Sequence, residues 1–306
     1  MSTVAVCVAT LQRPVGLAAL LASIAELEVP ADVRLRVVVV DNDDEGSARR
    51  TVDQWRARIP GEVRYEVEAR RGISYARNTG VRSAGDADWL AFVDDDEVVT
   101  PGWLREMLRV AEEYEADVVT GTVLPRFSEP PPAWVEGGRF FERPRFATGT
   151  RLPYARTSNA LVAARLLTGS QAPFDERLAR TGGEDTHFFQ RVRLAGGRMV
   201  WADDAVVEET VPVSRIQPAW LLRREYRRGN TLSLCLRDLE WSRRRVVKRV
   251  GAAVVHAALG VATAASGLLR GKATLLRGAQ RVAFAGGLLT GLTGRAYQEY
   301  EQIHGF

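Results

Sequence analysis

The run Trp89-Leu90-Ala91-Phe92-Val93 passes directly into Asp94-Asp95-Asp96, and few folds accommodate that join. Apolar residues without alternation mark a strand covered on both faces, as in a parallel sheet. Three adjacent carboxylates repel one another and cannot continue into a core without a cation among them. A buried strand that delivers charge to its carboxyl end is the arrangement of open α/β sheets, which bind ligands at that edge. Val37-Val38-Val39-Val40 running into Asp41 repeats the pattern. Singly, an aspartate triplet is most often a solvated turn, and Asp41 reads equally well as a helix cap. Together at strand ends they favour a site for a hard divalent cation, Mn²⁺ or Mg²⁺, which prefers oxygen ligands and bridges to phosphates.

The surrounding pattern agrees. Apolar spacing predicts strands over 3–9, 37–40, 63–67 and 89–93, alternating with helices that begin at Leu17, Ser47 and Ser74. The first ~125 residues therefore read as a doubly wound, mostly parallel α/β sheet. Further on, strands are expected over 118–123, 158–162, 199–201 and 205–207, with a helix from Glu184 to Leu194. The stretch 135–155 is rich in Arg, Gly and Phe without periodicity and reads as a mobile segment over a site. Cys7 and Cys235 stand far apart and are expected to be reduced, packed thiols of a cytoplasmic protein. The chain enters its first strand at once, with no basic region or cleavage site, which also favours the cytoplasm.

A net charge of +4 conceals an asymmetry: Arg215 to Arg295 carries 14 Arg and 2 Lys against Glu225, Asp238 and Glu240. The rest of the chain is acidic. Without interleaved aromatics this basic tail points away from nucleic acid and toward an anionic membrane surface. Gly251 to Leu269 holds only His256 as a titratable group, and basic residues flank both ends. The apolar stretch 282–294 is too short to cross a bilayer. Helices lying in the cytoplasmic interface are expected, the alternative being soluble helices packed on the body.

Five motifs then occur in order: the Thr10-to-Arg13 loop, Val39-Val40-Asp41-Asn42, Gly72-Ile73-Ser74-Tyr75-Ala76-Arg77-Asn78-Thr79-Gly80, Asp94-Asp95-Asp96, and Gly183-Glu184-Asp185. With these the chain resembles family 2 glycosyltransferases of the GT-A fold, over roughly residues 3 to 230. The resemblance implies an inverting enzyme of cell-envelope polysaccharide synthesis that moves sugar from a nucleotide-sugar donor, with UDP the favoured nucleotide. The acceptor would be a glycan or a polyprenyl-linked saccharide. It implies a catalytic domain over 1–235, with a nucleotide-sugar half (1–125) and an acceptor half (126–235), followed by a helical extension over 236–306 on the inner face of the bacterial plasma membrane.

Site roles follow from the same resemblance. Asp185 is the general base, with Glu184 beside it orienting the acceptor. Thr10, Arg13, Asp41, Arg77, Asp94 and Asp95 form the donor set, in which Asp94 faces the nucleoside and Asp95 faces away. Asp96 holds the metal. Relatives carry a His near the later strand as a further metal ligand; here Glu209 takes that place or pairs with Arg215. Arg224 and Arg227, at helical spacing, belong to the diphosphate or acceptor, the alternative being a basic face that meets lipid headgroups. Gly182-Gly183 would permit close substrate approach. His187 reads as structural. No dinucleotide fingerprint, phosphate-binding loop or Cys/His metal spacing is present. A sugar-nucleotide pyrophosphorylase would need a richer Gly and Lys/Arg loop than Thr10 to Gly16, and an inactive glycan-binding scaffold would not need its carboxylates.

Overall fold

The computed structural model describes residues 1–169 and 172–297. Its strands are β1 (Ser2–Thr10), β2 (Val33–Asp41), β3 (Glu62–Val67), β4 (Trp89–Phe92), β5 (Glu97–Val99), β6 (Val118–Phe127), β7 (Ala160–Ala163) and β8 (Met199–Val211). The helices are α1 (Pro14–Ala25), α2 (Arg49–Trp55), α3 (Ile73–Ala84), α4 (Trp103–Glu113), α5 (Ala133–Gly138), α6 (Glu184–Leu194), α7 (Pro218–Leu239), α8 (Arg243–Arg270) and α9 (Lys272–Leu292). One mixed sheet runs β3-β2-β1-β4-β7-β6-β8-β5.

The first four strands of that order are parallel, and Thr10, Asp41 and Val67 align across them. Their carboxyl ends therefore share one edge. Because the chain leaves β1 toward β2 and returns on its other side as β4, the β1/β4 boundary is the switch point where α/β sheets open a crevice. The expected parallel order stops there. β7 enters opposite Phe92 and runs antiparallel to β4, since the chain returns to the sheet from its carboxyl edge.

Both faces are covered, as the non-alternating strands require. Leu17, Leu20, Leu21 and Ile24 of α1, with Trp103, Leu104 and Met107 of α4, pack on Val4, Val6, Val8, Val37 and Val39. On the opposite face Ala76 of α3 and Phe188, Phe189 and Val192 of α6 meet Ala5, Cys7, Val38 and Val40. Cys7 and Cys235 are free and buried, and burial pushes both thiols up to about 12.

Three expectations change. The two short strands at 199–201 and 205–207 are one strand, β8, which passes a register shift between Gly121 and Val123. Asn159 makes this possible: its side-chain amide donates to Thr122 O and Ala205 O, both at 2.9 Å. The stretch 135–155 is tied down, through Arg143 to Glu209 and Ser158 and through Arg145 to Asp203. Lastly, the boundary expected at 235 falls inside α7. The hairpin α8–α9 is docked on that helix through α9, where Gly229, Gly287 and Gly291 let the backbones approach closer than any Cβ would allow. The extension beyond residue 297 lies outside the described residues.

Candidate active site

The aspartate triplet fans out. Asp94 is the open member; its carboxylate is paired with Arg77 Nη2 at 3.2 Å and its side chain is 41% exposed. Asp96 points toward β8 and accepts from Arg215 Nη2 at 2.9 Å, with Arg13 Nη1 at 3.5 Å. Asp95, expected to face away, instead faces the β1 loop and is buried: it accepts from Thr10 Oγ1 at 2.8 Å and from Arg13 Nη1 at 2.9 Å. Thr10 and Arg13 thus spend their polar atoms on the triplet, holding the turn against the end of β1. Glu97 braces the turn from behind. Its Oε2 accepts from the Asp94 backbone N–H at 2.8 Å, and burial beside Asp94 drives its pKa well up.

Asp41 is also committed internally. It is fully buried at the end of β2, and accepts from Ala48 N at 2.6 Å, Tyr65 Oη at 2.8 Å and Asp43 N at 3.2 Å. Here it shapes the loop after β2 and has no carboxylate oxygen turned to the cleft. Burial together with the Asp41 charge drives the Tyr65 phenol pKa up. The neighbouring Asn42 ties the segment 68–72 to the end of β2, donating to Glu68 O and Arg70 O and accepting from Gly72 N.

Arg77 links the aspartate triplet to the head of α6. From α3 it reaches both Asp94 and Glu184, the first residue of α6. Glu184 is buried and bound to Arg77 through Oε1, so it serves as an anchor. Asp185 is half-buried, accepts only from Thr186 N at 2.5 Å and Thr186 Oγ1 at 3.2 Å, and has no ion-pair partner among the described residues. A carboxylate without a cation is free to accept a proton. Gly183 before it has φ +89°, which favours glycine, but its bare side faces Thr231 of α7 rather than an open cleft.

Glu209 lies directly across from Glu97 in the β5–β8 pair. Of the two alternatives foreseen for it, the structure shows the pairing: Arg215 Nη1 donates to its Oε1 at 3.0 Å, and Arg143 donates to its Oε2. Burial opposes its charge, yet Arg143 and Arg215 hold its pKa down. Asp96 is raised, by burial first and then by Glu209 and Asp95, against the pull of Arg215. Two part-buried carboxylates thus converge on one cation position, an oxygen donor set that suits a hard divalent ion as well as a guanidinium.

On α7 Arg224 donates to Phe140 O at 2.7 Å and lies over the Phe141 and Trp220 rings. Burial, with Arg143 and Arg156 nearby, lowers its pKa to about 10. Arg227 is on the same helix one turn away. Arg156 projects to solvent from the loop before β7 with Arg143, Arg228 and Asp185 around it, and its pKa is lowered by the protein walls and by those two arginines. Arg143, Arg156, Tyr65 and Glu97 were not foreseen. Only Glu97 had a signal, its place as the fourth carboxylate in the continuous run from Asp94.

His187 accepts or donates at 2.8 Å to Asp238 and lies 4.0 Å from Asp175. This acidic and histidine group is already bridged by Arg177, 2.6 Å from Asp175 and 2.9 Å from Asp238. Its structural reading fits: it ties α6 to α7.

Comparison with known proteins matches residues 5–168 to the family model "Glycosyl transferase family 2" and residues 89–296 to "Glycosyl transferase family group 2". The succinoglycan biosynthesis protein ExoM of Rhizobium meliloti is 38% identical over 225 residues, 73% of this chain and 72% of that protein. A glucosyl-dolichyl phosphate glucuronosyltransferase of Haloferax volcanii is 25% identical over 63% of this chain and 64% of its own. Among solved structures, S. aureus TarS 1–349 in complex with UDP superposes with TM-score 0.55 at 17% identity, covering 97% of this chain and 93% of that one. That likeness bears on the fold and agrees with the expected GT-A architecture. The chain belongs to glycosyl transferase family 2 and is a glycosyltransferase.

Proposed function

We propose that this glycosyltransferase moves a sugar, with inversion, from a UDP-sugar to a glycan or polyprenyl-linked saccharide in cell-envelope polysaccharide synthesis. The observation that carries the reading is the contrast at the head of α6: Glu184 is clamped by Arg77, while Asp185 has no cation in contact among the described residues. The part of ExoM in succinoglycan biosynthesis, the dolichyl-phosphate-linked substrate of the Haloferax glucuronosyltransferase, and the UDP and UDP-GlcNAc complexes of TarS support the donor and acceptor classes.

In this mechanism Asp185 accepts the proton of the acceptor hydroxyl as that oxygen attacks the anomeric carbon from the face opposite the nucleotide. Arg77 fixes the relation between Asp94, on the donor side, and α6, on the acceptor side, and so sets the attack line. Arg224 and Arg227 offer guanidinium groups to phosphate. Asp96 and Glu209 would hold Mn²⁺ or Mg²⁺, which supplies positive charge for the departing diphosphate.

The hairpin supports a membrane location. α8 is long and apolar enough to cross a bilayer, yet only 17% of its most apolar window is buried. Val254, Val261, Leu268 and Leu269 all face outward. α9 beside it carries Arg277 and Arg281 and is docked on α7, which argues against crossing. We therefore place α8 in the plane of the inner leaflet, its outer face in the acyl boundary and its basic ends on anionic headgroups.

The test is a thermal-shift panel of UDP-, GDP- and dTDP-sugars with and without Mn²⁺, followed by transfer to lipid-linked saccharide. A UDP-sugar should raise the melting temperature, and Asp185→Asn should keep that shift and lose transfer. Full transfer by Asp185→Asn would remove the base assignment, and a metal-dependent shift with GDP or dTDP compounds alone would remove the donor.

A further inference from the structure

Arg215 sits in a short 3₁₀ turn, Val213–Arg215, between β8 and α7. Its guanidinium forks across carboxylates from two different parts of the chain, Asp96 at 2.9 Å through Nη2 and Glu209 at 3.0 Å through Nη1. The side chain is 14% exposed. These are the two oxygen donors that the proposed function assigns to the divalent ion, so this inference rests on that reading. A guanidinium and a metal ion cannot occupy the same pair of carboxylate oxygens.

We propose that Arg215 is an exchangeable cation and a donor-binding residue. It holds Asp96 and Glu209 together until a divalent ion takes them, and its released fork then engages a phosphate of the donor diphosphate. Three features carry this. Two part-buried carboxylates bridged by one guanidinium need a cation between them, because each raises the cost of the other's charge. Of their other partners, Arg13 lies 3.5 Å from Asp96 and bonds chiefly to Asp95, and Arg143 bonds to Glu209, so among the described residues it is Arg215 that bridges Asp96 and Glu209. Arg215 also lies on a turn outside the helices, so its side chain can swing without moving β8 or α7. A planar fork already shaped to two carboxylate oxygens is equally matched to two phosphate oxygens.

Metal and diphosphate binding then become coupled. Metal alone must displace Arg215, whereas metal arriving with diphosphate lets the released guanidinium find new oxygens. Such coupling is reciprocal between the two ligands.

The experiment titrates Mn²⁺ alone, by the electron paramagnetic resonance signal of the free ion, and then UDP at saturating Mn²⁺ by calorimetry. For Arg215→Met, Mn²⁺ alone should bind about tenfold tighter than to wild type, while UDP at saturating Mn²⁺ should bind about tenfold weaker, a coupling of ordinary size. Asp96→Asn should abolish the Mn²⁺ binding in either background, which locates the ion. Arg215→Lys keeps a positive charge without the fork and should shift both affinities in the same directions; it carries the test if the Met variant does not fold. Unchanged or weaker Mn²⁺ binding in a folded variant would mean that Arg215 is a structural brace, and would overturn the proposal. A wild-type protein that binds Mn²⁺ but no UDP would instead overturn the donor reading, with the Mn²⁺ comparison still reporting on competition.

Discussion

Arg77→Met should unfold the protein more readily by about 3 kcal/mol, and the figure can be built from the contacts. Removing one partner of a buried ion pair costs about 3–5 kcal/mol, mostly from the charge left behind. That charge is Glu184, whose side chain is 3% exposed and whose Oε2 has no hydrogen-bond partner even in the intact network. The second pairing, to the more exposed Asp94, adds at most about 1 kcal/mol. Against these, Glu184 opens α6, and the helix N-terminus returns about 0.3–1 kcal/mol to an anion there. Glu184→Gln alone leaves Arg77 its contact with Asp94 and should cost about 1–2 kcal/mol. In the double variant no unpaired buried charge remains, so it should be more stable than Arg77→Met. The double-mutant cycle should therefore show a coupling of at least about 1.5 kcal/mol. Urea unfolding followed by circular dichroism at neutral pH measures all four proteins. An Arg77→Met variant within about 1 kcal/mol of wild type, or an additive cycle, would refute the claim that Glu184 depends on this guanidinium.

Other outcomes follow from single contacts. Asp185→Asn should lower kcat by about 10²–10⁴ with stability within about 0.5 kcal/mol of wild type, because the carboxylate bonds only to Thr186; single-turnover transfer and urea unfolding check the two halves. Burial opposes the charge of Glu68, but Arg70 and Thr79 outweigh it and bring its pKa down from 4.5 to about 2. A depressed carboxyl contributes stability that is present above its unfolded pKa and lost as pH falls through the folded one. The deficit of Glu68→Gln should therefore be full at neutral pH, shrink below about pH 4.5 and vanish near pH 2, measured by denaturation across that range. Val254→Asp on the outer face of α8 should weaken binding to anionic liposomes about tenfold, as loss of one buried valine implies, in a vesicle sedimentation assay; equal sedimentation would remove α8 from the lipid contact.

Much of the fold was legible because its signals are local. Non-alternating runs such as Val37 to Val40 announce strands covered on both faces, and the helix from Glu184 to Leu194 has the bounds its periodicity suggested. Where local signals fail, the reason is a distant partner. β8 reads as two pieces because Ala202-Asp203-Asp204 breaks the apolar run, and distant groups hold it as one: Asn159 bridges Thr122 O and Ala205 O, and Thr122 Oγ1 donates to Asp203 O. The order of β7 against β4 depends on the direction from which the chain returns, which no residue in β7 encodes. Gly183 was legible as a position of unusual backbone, but what its missing side chain makes room for, Thr231, is set by the packing of α7.

By itself the sequence determined that carboxylates stand at the ends of buried strands, because strand period and polarity are properties of neighbours along the chain. Which cation meets which carboxylate was decided only in three dimensions. Arg77 and Glu184 are 107 residues apart and Arg215 and Asp96 are 119 apart, and Coulomb attraction acts through space with no regard for that separation. The same physics separates the roles within Asp94-Asp95-Asp96. Adjacent in sequence and identical in chemistry, they differ because the folded chain turns one toward Arg77, one toward Arg13 and Thr10, and one toward Arg215.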